Sequence, residues 1–467
     1  MLFTEFRFLV FFAVTFSLVW LLRGNQARKI WLLLASYVFY AGWDPRFLLL
    51  LLASTIGNFI AGAMIAREHP PGGRRAWLVA SLVLDLGLLA FFKYLDFLLA
   101  SAASALAALG IGIPTPVLAI ALPVGISFFT FQTLSYTIDI YRRRIDATRS
   151  PLDFALFVAL FPHLVAGPVV RASELIPQFA SARRFTDLRL RVSLGLFLAG
   201  FVKKACIADR LGAVVDPVFA APAAYGAASQ WLAAALYHVQ IYCDFSGYTD
   251  MAIAVAALLG YRLPENFAFP YLSLSVREFW QRWHMSLTRW FRDYLYIPLG
   301  GSRGSAFQTA RNLVTVFLLC GLWHGAAWSF IAWGAVHGAM LVLERSAFGR
   351  LVARLPKWIG IVYVNGVVMV AWVLFRSPDF GRAGVFLRGL AGLGSAPHAA
   401  IARSIDPLWW LALPVPLLAH LGARAKGWER TTSRLPDWGF AIALGILVAL
   451  VLPWIATEHR PFIYFQF

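Results

Sequence analysis

The sequence predicts an all-α polytopic membrane protein. Of its 467 residues, 60% are hydrophobic and only 14% are charged, and the mean hydropathy is +0.69. Soluble domains carry about 25% charged residues, so a soluble multidomain protein is excluded. Because a spanning helix needs about 20 residues, the apolar runs allow roughly ten to twelve spans.

Short basic loops alternate with uncharged loops in the first third of the chain and predict its orientation. Arginine and lysine are concentrated in three of these loops, while the loops between them are nearly uncharged. Basic loops stay on the cytoplasmic side, so the N-terminus is expected on the outer side. The first apolar run has no cleavage site and is expected to be a span. The spans expected in this part lie near 7–22, 30–42, 46–66, 76–109 and 117–140.

The segment 161–171 is apolar but is interrupted by Pro162, Gly167 and Pro168. Such breaks at membrane depth are tolerated only where the backbone is buried in protein or lines a cavity. We therefore expect a broken or re-entrant helix here. His163 is expected either to line that cavity or to pack between helices.

Two carboxylates interrupt the apolar run from 231 to 261. They are Asp244 and Asp250, with Ser246 between them. A carboxylate at membrane depth needs a partner or water, so a structural role, with arginines or backbone donors as partners, and a direct functional role both remain open. We expect both carboxylates to be buried, and all three side chains are candidate substrate-binding residues.

The segment 262–311 is too charged to cross a membrane and too aromatic for a plain loop. Its aromatic residues recur on one helical face, which predicts amphipathic helices, and a cytoplasmic interfacial helix would show the same pattern. His284 lies in this segment, directly after Trp283.

His324 lies in the apolar run 318–328, directly after Trp323. An ionisable side chain is costly at membrane depth, so function is the default hypothesis and packing between helices is the alternative. A neutral imidazole takes a proton from a hydroxyl and returns it later, and burial keeps it neutral. The charged segment between His284 and His324 cannot span as one helix, so both histidines are expected to approach one buried passage.

Other classes of function receive no support from the sequence. The net charge of +18 lies in short loops between apolar runs, as membrane orientation requires, so nucleic-acid binding is not indicated. The three cysteines are widely spaced, and Cys320 with His324 offers too few ligands for a metal site. No phosphate loop, dinucleotide motif or serine-hydrolase elbow is present. Three further apolar runs lie near 358–375, 407–422 and 438–457.

Six segments, in their order along the chain, resemble the membrane-bound O-acyltransferase superfamily, and within it the bacterial alginate O-acetylation branch. The resemblance implies one integral membrane domain over 1–467, a ring of transmembrane helices with re-entrant and interfacial helices around a thinned central funnel. The motif-bearing core covers 1–345, C-terminal helices follow at 346–457, and an extracytoplasmic tail ends the chain at 458–467. The segments are LPVGISFFTFQTLSYTIDIYR, FPHLVAGPVVR, YCDFSGYTDMA, ENFAFPY, REFWQRWHMSLTRWFRDYLYIPLGGSRG and GLWHGAAW.

The resemblance also implies acetyl transfer across a bacterial inner membrane to an extracytoplasmic polysaccharide such as alginate. His324, in the WHG motif, is implied as the catalytic histidine, and His284, in the RWH motif, as a second functional residue. The implied donor is a cytoplasmic acetyl thioester such as acetyl-CoA, with no tightly bound cofactor or metal. The implied partner is a periplasmic acetyltransferase or esterase-like protein. Neighbouring candidates for substrate binding are Trp283, Trp323, Arg282 and Arg292. These two arginines, with Arg277 and Arg289, would attract an anionic donor, although membrane orientation alone would also place them on the cytoplasmic side.

The chain ends in an aromatic tail, PFIYFQF, at 461–467. The basic loop 424–434 precedes the last span, so the tail is expected on the periplasmic side. It is either an interfacial anchor or a tail that folds back into the outer funnel. It resembles a C-terminal motif of acyl-transfer systems in this superfamily, where the tyrosine, here Tyr464, is proposed to carry the acyl group. A phenol with a pKa near 10 is a better leaving group than a sugar hydroxyl.

Three alternative functions remain open. A lipid or polymer transporter would also use broken helices and buried charge, but would move its substrate without consuming an acyl donor. A non-catalytic scaffold of an export complex would not need either histidine. D-alanyl transfer to teichoic acid is the rival within the superfamily, and the acetylation-branch motifs argue against it.

Overall fold

The computed structural model describes residues 1–67, 70, 72–112, 114, 118, 120–393, 406–414, 434–456 and 463. Within these ranges the regular elements are helices and no β-strand occurs, in agreement with the predicted all-α class. Tyr464 and the second half of the predicted run near 407–422 lie outside the described residues. The α-helices are α1 (Phe6–Leu21), α2 (Asn25–Ala41), α3 (Arg46–Ala66), α4 (Gly73–Leu89), α5 (Leu95–Ala108), α6 (Ile126–Tyr141), α7 (Pro151–Ala159), α8 (Phe161–Leu164), α9 (Ala172–Leu175), α10 (Leu190–Phe201), α11 (Asp209–Ala220), α12 (Ala227–Leu258), α13 (Val276–Arg282), α14 (Met285–Phe291), α15 (Ala306–His324), α16 (Trp328–Leu343), α17 (Ala347–Val352), α18 (Lys357–Arg376), α19 (Phe380–Leu390) and α20 (Asp437–Val451).

Several helices are long and apolar enough to cross a membrane, which confirms a polytopic membrane protein. The predicted fourth span exceeds the length of a vertical helix, and it is one 36-residue helix in which a π-helical segment, Ala90–Tyr94, joins α4 to α5. Two shorter helices, α1 and α16, are also apolar. The four helices that meet both length and hydropathy criteria in the described ranges are Arg46–Ala66, Gly73–Ala108, Lys357–Arg376 and Asp437–Trp454.

The chain forms two compact units. The first contains Met1–Arg189 and Val255–Pro264, and the second contains Leu190–Ala254 and Glu265–Phe467. Both candidate histidines, His284 and His324, belong to the second unit. The single domain with a core over 1–345, expected from the resemblance, stays a prediction.

In the first unit, α3, α4 and α6 pack around buried polar side chains. The carboxylate of Asp85 on α4 accepts hydrogen bonds from Ser54 at 2.9 Å and from Asn58 at 2.8 Å, both on α3. Thr133 on α6 donates to the second oxygen of Asp85 at 2.8 Å. Hydrogen bonds of this kind join neighbouring helices where the surrounding side chains are apolar.

The helix predicted to be broken at 161–171 is broken. Helix α7 ends at Ala159, and α8 makes a single turn over Phe161–Leu164. His163 on this turn is buried, and its Nδ1 atom lies 2.8 Å from the side-chain nitrogen of Gln132 on α6. His163 therefore packs between helices, the second of its two expected roles.

In the second unit, α15 and α16 form a hairpin with direct backbone contact. A Cβ atom on Gly321 would lie 2.1 Å from the carbonyl oxygen of Phe330, and one on Gly334 would lie 2.1 Å from that of Phe317. A larger residue at either position would push the helices apart, so small residues set their spacing, as is common between membrane helices. This contact fixes the C-terminal end of α15, where His324 lies.

Candidate active site

His324 is the last residue of α15 and is buried among aromatic rings. Its ring centroid lies 5.0 Å from that of Trp323, 5.1 Å from Trp333 and 5.3 Å from Phe375. Each of these pairs has a steep interplanar angle, the edge-to-face arrangement that aromatic rings favour. The surrounding side chains thus leave the imidazole little freedom to turn.

Position 325, which follows His324, needs glycine because neighbouring atoms leave no room for a side chain. Its φ of −158° is an extended conformation that any residue adopts. A Cβ atom at this position would lie only 2.1 Å from the ring of Phe330. Phe330 in turn packs against Phe375, which contacts His324. The glycine of the WHG motif therefore allows the aromatic packing around His324.

His284 lies at a break between α13 and α14, where a continuous amphipathic pattern had predicted helix. The residue has φ 44° and ψ 51°, a left-handed conformation that is uncommon for residues other than glycine. Backbone strain of this kind is concentrated at functional sites. The break turns His284 into the interior, where it is fully buried.

The hydrogen bonds of Asn266 determine which nitrogen of His284 carries the proton. The backbone N–H of Ser286 donates to the side-chain oxygen of Asn266 at 3.1 Å, so that atom is an acceptor. The same oxygen lies 3.2 Å from Nδ1 of His284. An amide oxygen has no hydrogen to donate, so Nδ1 of His284 is the donor in this contact. Nδ1 therefore carries the hydrogen, and Nε2 carries the lone pair.

The lone pair on Nε2 of His284 is available for chemistry. No residue in the described ranges forms a hydrogen bond with Nε2, although the atom is buried. Burial lowers the pKa of His284 to about 3, because it disfavours the charged imidazolium, and the residue lies outside the membrane-spanning helices. At cellular pH the ring is therefore neutral, and Nε2 is able to accept a hydrogen bond.

The structure brings the two predicted histidines to the same tryptophan. The ring of Trp323 lies 6.2 Å from that of His284 and 5.0 Å from that of His324. Trp323, a predicted substrate-binding residue, thus joins two positions that lie 40 residues apart in the sequence. The two histidines belong to one buried aromatic cluster, and the shared passage stays a prediction, because neither histidine is among the lining residues of the cavity described below.

Trp283 belongs to the same cluster. It is buried, and its ring stacks against Phe279 at 5.4 Å and contacts Trp372 at 5.3 Å. Trp372 stacks on Trp333, which contacts His324. Trp283 therefore supports the walls of the cluster and does not line the cavity described next.

A cavity of about 530 Å³ lies among α13, α14, α15 and α16. Its walls are mostly apolar, and Trp280 and Phe317 are among them. Cys320 also lines it and lies one helical turn before His324 on α15. The volume is that of a small-molecule site. The arginines that line the cavity are Arg277, Arg289, Arg292 and Arg345.

The predicted arginines therefore divide into two groups. Arg292 lines the cavity and pairs with Asp293 at 2.7 Å. Arg282 is not part of the lining: its guanidinium donates to Glu278 at 2.6 Å on the same helix, and its role in substrate binding stays a prediction. Arg345, which the sequence pattern did not single out, completes the positive lining.

The carboxylates on α12 pair with lysines, so the expected arginine partners are wrong, whereas the other expected partner, a backbone donor, is present at Asp244, which accepts the N–H of Ile463. Lys204 lies 2.5 Å from Asp244, and Lys203 lies 2.6 Å from Asp250. Both lysines belong to the π-helical turn Val202–Ala208 between α10 and α11. That turn lies close enough to α12 for short contacts, because a Cβ atom on Gly247 would meet the backbone of the turn at 3.0 Å.

Asp244 and Asp250 differ in burial. Asp244 is buried as expected, whereas the side chain of Asp250 is 21% exposed, so its expected burial is wrong. Ser246 is buried between them. None of the three lines the arginine cavity, and their role in substrate binding stays a prediction.

Besides Arg345, two functional candidates were missed by reasoning from sequence. Asn266 lies 18 residues before His284, and nothing in a single sequence pairs the two positions. Lys204 had a usable signal, since the pair Lys203–Lys204 interrupts an apolar run and therefore needs partners.

Among the described residues, no group of three histidine, cysteine or acidic side chains lies close enough to hold a metal ion.

Comparison with known proteins gives a consistent family. The model of the MBOAT family, membrane-bound O-acyltransferases, matches residues 120–375. A probable alginate O-acetylase of Pseudomonas aeruginosa is 44% identical over 407 residues, covering 86% of this chain and 77% of that protein. The corresponding protein of Azotobacter vinelandii is 45% identical over 82% of this chain and 76% of its own length.

The names of more distant relatives refer to other polymers. A peptidoglycan O-acetyltransferase of Helicobacter pylori is 36% identical over 80% of this chain and 76% of its own length. A teichoic acid D-alanyltransferase of Streptococcus thermophilus is 28% identical over 54% of this chain and 68% of its own length. Similarity is thus greater to the O-acetylating relatives than to the D-alanylating one, in agreement with the predicted branch.

Proposed function

The chain belongs to the membrane-bound O-acyltransferase family and is a membrane-bound acyltransferase, and from this premise we propose that it transfers acetyl groups from a cytoplasmic thioester across the inner membrane. The final acceptor is an extracytoplasmic polysaccharide such as alginate. The proposal draws on the names of the O-acetylating relatives, which cover most of this chain. Both chain termini lie in the periplasm under this proposal.

The arginine-lined cavity is the observation that carries the proposal. Four guanidinium groups border one cavity of about 530 Å³, and such a positive lining attracts phosphate groups. The apolar remainder suits the uncharged arm of an acyl thioester such as acetyl-CoA. Because Cys320 on its wall lies one turn before His324, a thioester in the cavity would be near the candidate base.

The chemistry proposed for this site is a direct acyl transfer. A hydroxyl oxygen attacks the carbonyl carbon of the thioester while His324 takes the hydroxyl proton as general base. The carbon–sulfur bond then breaks, and the thiolate recovers that proton. His284, neutral and with its lone pair on Nε2, is the second histidine of the site and accepts a hydrogen bond from the bound substrates.

Tyr464 is the first acyl acceptor in this proposal. Its phenol would form an acetyl ester under His324, and the ester would pass to a periplasmic acetyltransferase or esterase-like partner. Tyr464 lies outside the described residues, but Ile463, which precedes it, is buried in the second unit. This position supports a tail that folds back into the protein over one that anchors at the interface.

Inverted inner-membrane vesicles, whose cytoplasmic face is outward, provide the test. With radiolabelled acetyl-CoA, wild-type vesicles are expected to release one free thiol for each acetyl group that becomes ester-bound. Vesicles carrying His324→Ala should do neither. Uptake of label without release of thiol would show transport and contradict the proposal, as would transfer that requires a carrier-protein thioester and leaves acetyl-CoA unused.

A further inference from the structure

The C-terminal segment has a specific attachment point in the second unit. The backbone N–H of Ile463 donates to Oδ2 of Asp244 at 2.8 Å, and Ile463 is 3% exposed. The other oxygen of Asp244, Oδ1, lies 2.5 Å from Nζ of Lys204. The carboxylate is thus divided between a lysine of the helix bundle and the backbone of the tail.

Residues 453–456, on the N-terminal side of this attachment, contact the π-helical turn Val202–Ala208 and the helix that continues from it. The N–H of Ala456 donates to the carbonyl oxygen of Ala205 at 3.0 Å. Arg210, one turn further along, donates to the carbonyl oxygen of Pro453 at 3.0 Å, and its guanidinium covers the ring of Trp454. Contacts at 453, 454, 456 and 463 therefore connect the end of the chain to one part of the second unit. A π-helical turn inside a longer helix is often associated with function.

We propose that Asp244 is a positioning residue that anchors the C-terminal segment by accepting the N–H of Ile463. The functional consequence rests on the proposed role of Tyr464, the residue that follows Ile463 in the sequence. A peptide bond holds successive Cα atoms about 3.8 Å apart, so an anchor at 463 limits how far the phenol can move. Asp244 would thereby orient the Tyr464 phenol for the reaction without touching the reacting atoms.

Charge counting indicates that this anchor can be removed without loss of the fold. Lys204 contacts two carboxylates, Asp244 at 2.5 Å and Asp209 at 2.8 Å. Removing either carboxylate leaves one ammonium with one carboxylate, so the two charges still balance. Removing Lys204 would instead leave two buried carboxylates together, which is strongly destabilising. Asp244→Ala and Asp209→Ala are therefore a matched pair of variants, and only the first loses the acceptor for Ile463.

The first test measures the anchor itself and does not depend on acetylation. A cysteine replaces Ile463 in a chain whose partly exposed Cys206 is changed to alanine. The rate of maleimide labelling at position 463 is then measured in membranes. Adding Asp244→Ala is expected to speed labelling at least roughly tenfold, because a hydrogen bond to a charged group is lost, whereas Asp209→Ala should leave the rate unchanged. Equal rates in all three chains would overturn the proposal.

The second test uses the donor side of the same hydrogen bond. Ile463→Pro removes the N–H and Ile463→Val keeps it with nearly the same burial. The proposal predicts that acetylation falls at least roughly tenfold in Ile463→Pro and stays near wild type in Ile463→Val. Equal acetylation in the two variants would overturn the positioning role. If Tyr464→Phe acetylates normally while Asp244→Ala still speeds labelling, the anchor holds and the acyl-carrier proposal fails.

Discussion

Asn266 holds the imidazole of His284 by its Nδ1 atom, with the amide oxygen 3.2 Å away. The N–H and hydroxyl of Ser286 donate to the same oxygen at 3.1 and 2.8 Å. The loop that precedes α13 therefore orients a histidine that follows it, and Nε2 is left as the acceptor. A hydrogen-bond acceptor for a substrate needs both its geometry and its protonation state to be fixed, and one amide oxygen does both here.

Replacing Asn266 by aspartate is predicted to change the pH dependence of acetylation. The substitution is nearly isosteric and keeps the accepting oxygen, but a carboxylate favours the imidazolium form and raises the pKa of His284 above its value of about 3. His284 is neutral only above its pKa, so activity should be lost at a higher pH in Asn266→Asp than in wild type as the medium is acidified. Acetyl transfer in vesicles between pH 4 and 8 is the measurement.

Ser286→Ala is the control for this prediction. It removes one hydroxyl donor to Asn266 and leaves the bond to His284, so its pH profile should match wild type. A wild-type profile in Asn266→Asp would show that the charge at Asn266 does not reach the reaction.

His324→Ala is predicted to abolish acetylation with little change in protein level. General-base catalysis typically contributes about 100- to 10,000-fold, so residual activity should lie below one per cent. His337, which is equally buried but accepts a hydrogen bond from Trp280, serves as the comparison in His337→Gln. The measurement is the amount of ester-bound acetate on the exported polymer. Wild-type acetylation in His324→Ala would exclude His324 as the general base.

Local pattern was sufficient to predict the helices, the break at 161–171 and the two histidines. Apolar runs and their basic boundaries depend on residues close in sequence, and so do the proline and glycine signals of a broken helix. The WHG and RWH motifs are also local. Each of these features can be recognised without knowledge of the tertiary contacts.

The missed features depend on contacts between distant segments or on backbone strain. A continuous aromatic stripe predicts helix through His284, but the N–H groups of Met285 and Ser286 donate to oxygens of Asn266 and stabilise a left-handed residue there. The partners of Asp244 were expected to be the arginines that follow it in sequence or backbone donors, and among the described residues only the backbone donor, the N–H of Ile463, is present. Lys204 takes the place of an arginine because the π-helical turn brings it to α12.

The cavity arginines are predicted to act on the affinity for the donor and not on the chemical step. Arg345→Gln and Arg277→Gln should each raise the KM for acetyl-CoA by roughly tenfold with kcat nearly unchanged, since a charge-assisted contact to phosphate is lost. Higher salt should reduce the difference from wild type. Arg382→Gln is the control, because Arg382 pairs with Asp379 and is not part of the cavity lining. An unchanged KM in both cavity variants would argue against a donor site there.

Tyr464→Phe is predicted to abolish acetylation while the protein level stays normal. The substitution keeps the aromatic ring of the tail and removes the phenol oxygen that would carry the acetyl group. Mass spectrometry of the C-terminal peptide from wild type incubated with acetyl-CoA should show an added acetyl group that Tyr464→Phe lacks. Phe465→Tyr in the Tyr464→Phe background tests whether position matters, and it should not restore activity. Normal acetylation by Tyr464→Phe would leave the tail with an anchoring role alone.

Gly325→Ala is predicted to damage the site through packing alone. The added Cβ would lie 2.1 Å from the Phe330 ring, and that ring contacts Phe375, which packs on His324. Such overpacking typically costs about 1–3 kcal/mol, and here the displaced rings are those that orient the candidate base. Gly366→Ala is the matched control, because a Cβ at Gly366 on α18 meets no atom within 4 Å. Acetylation should fall sharply in Gly325→Ala and stay normal in Gly366→Ala. Gly325→Ala combined with Phe330→Leu should recover part of the activity, since a smaller side chain makes room for the methyl group. Full activity in Gly325→Ala alone would mean that the rings around His324 rearrange freely.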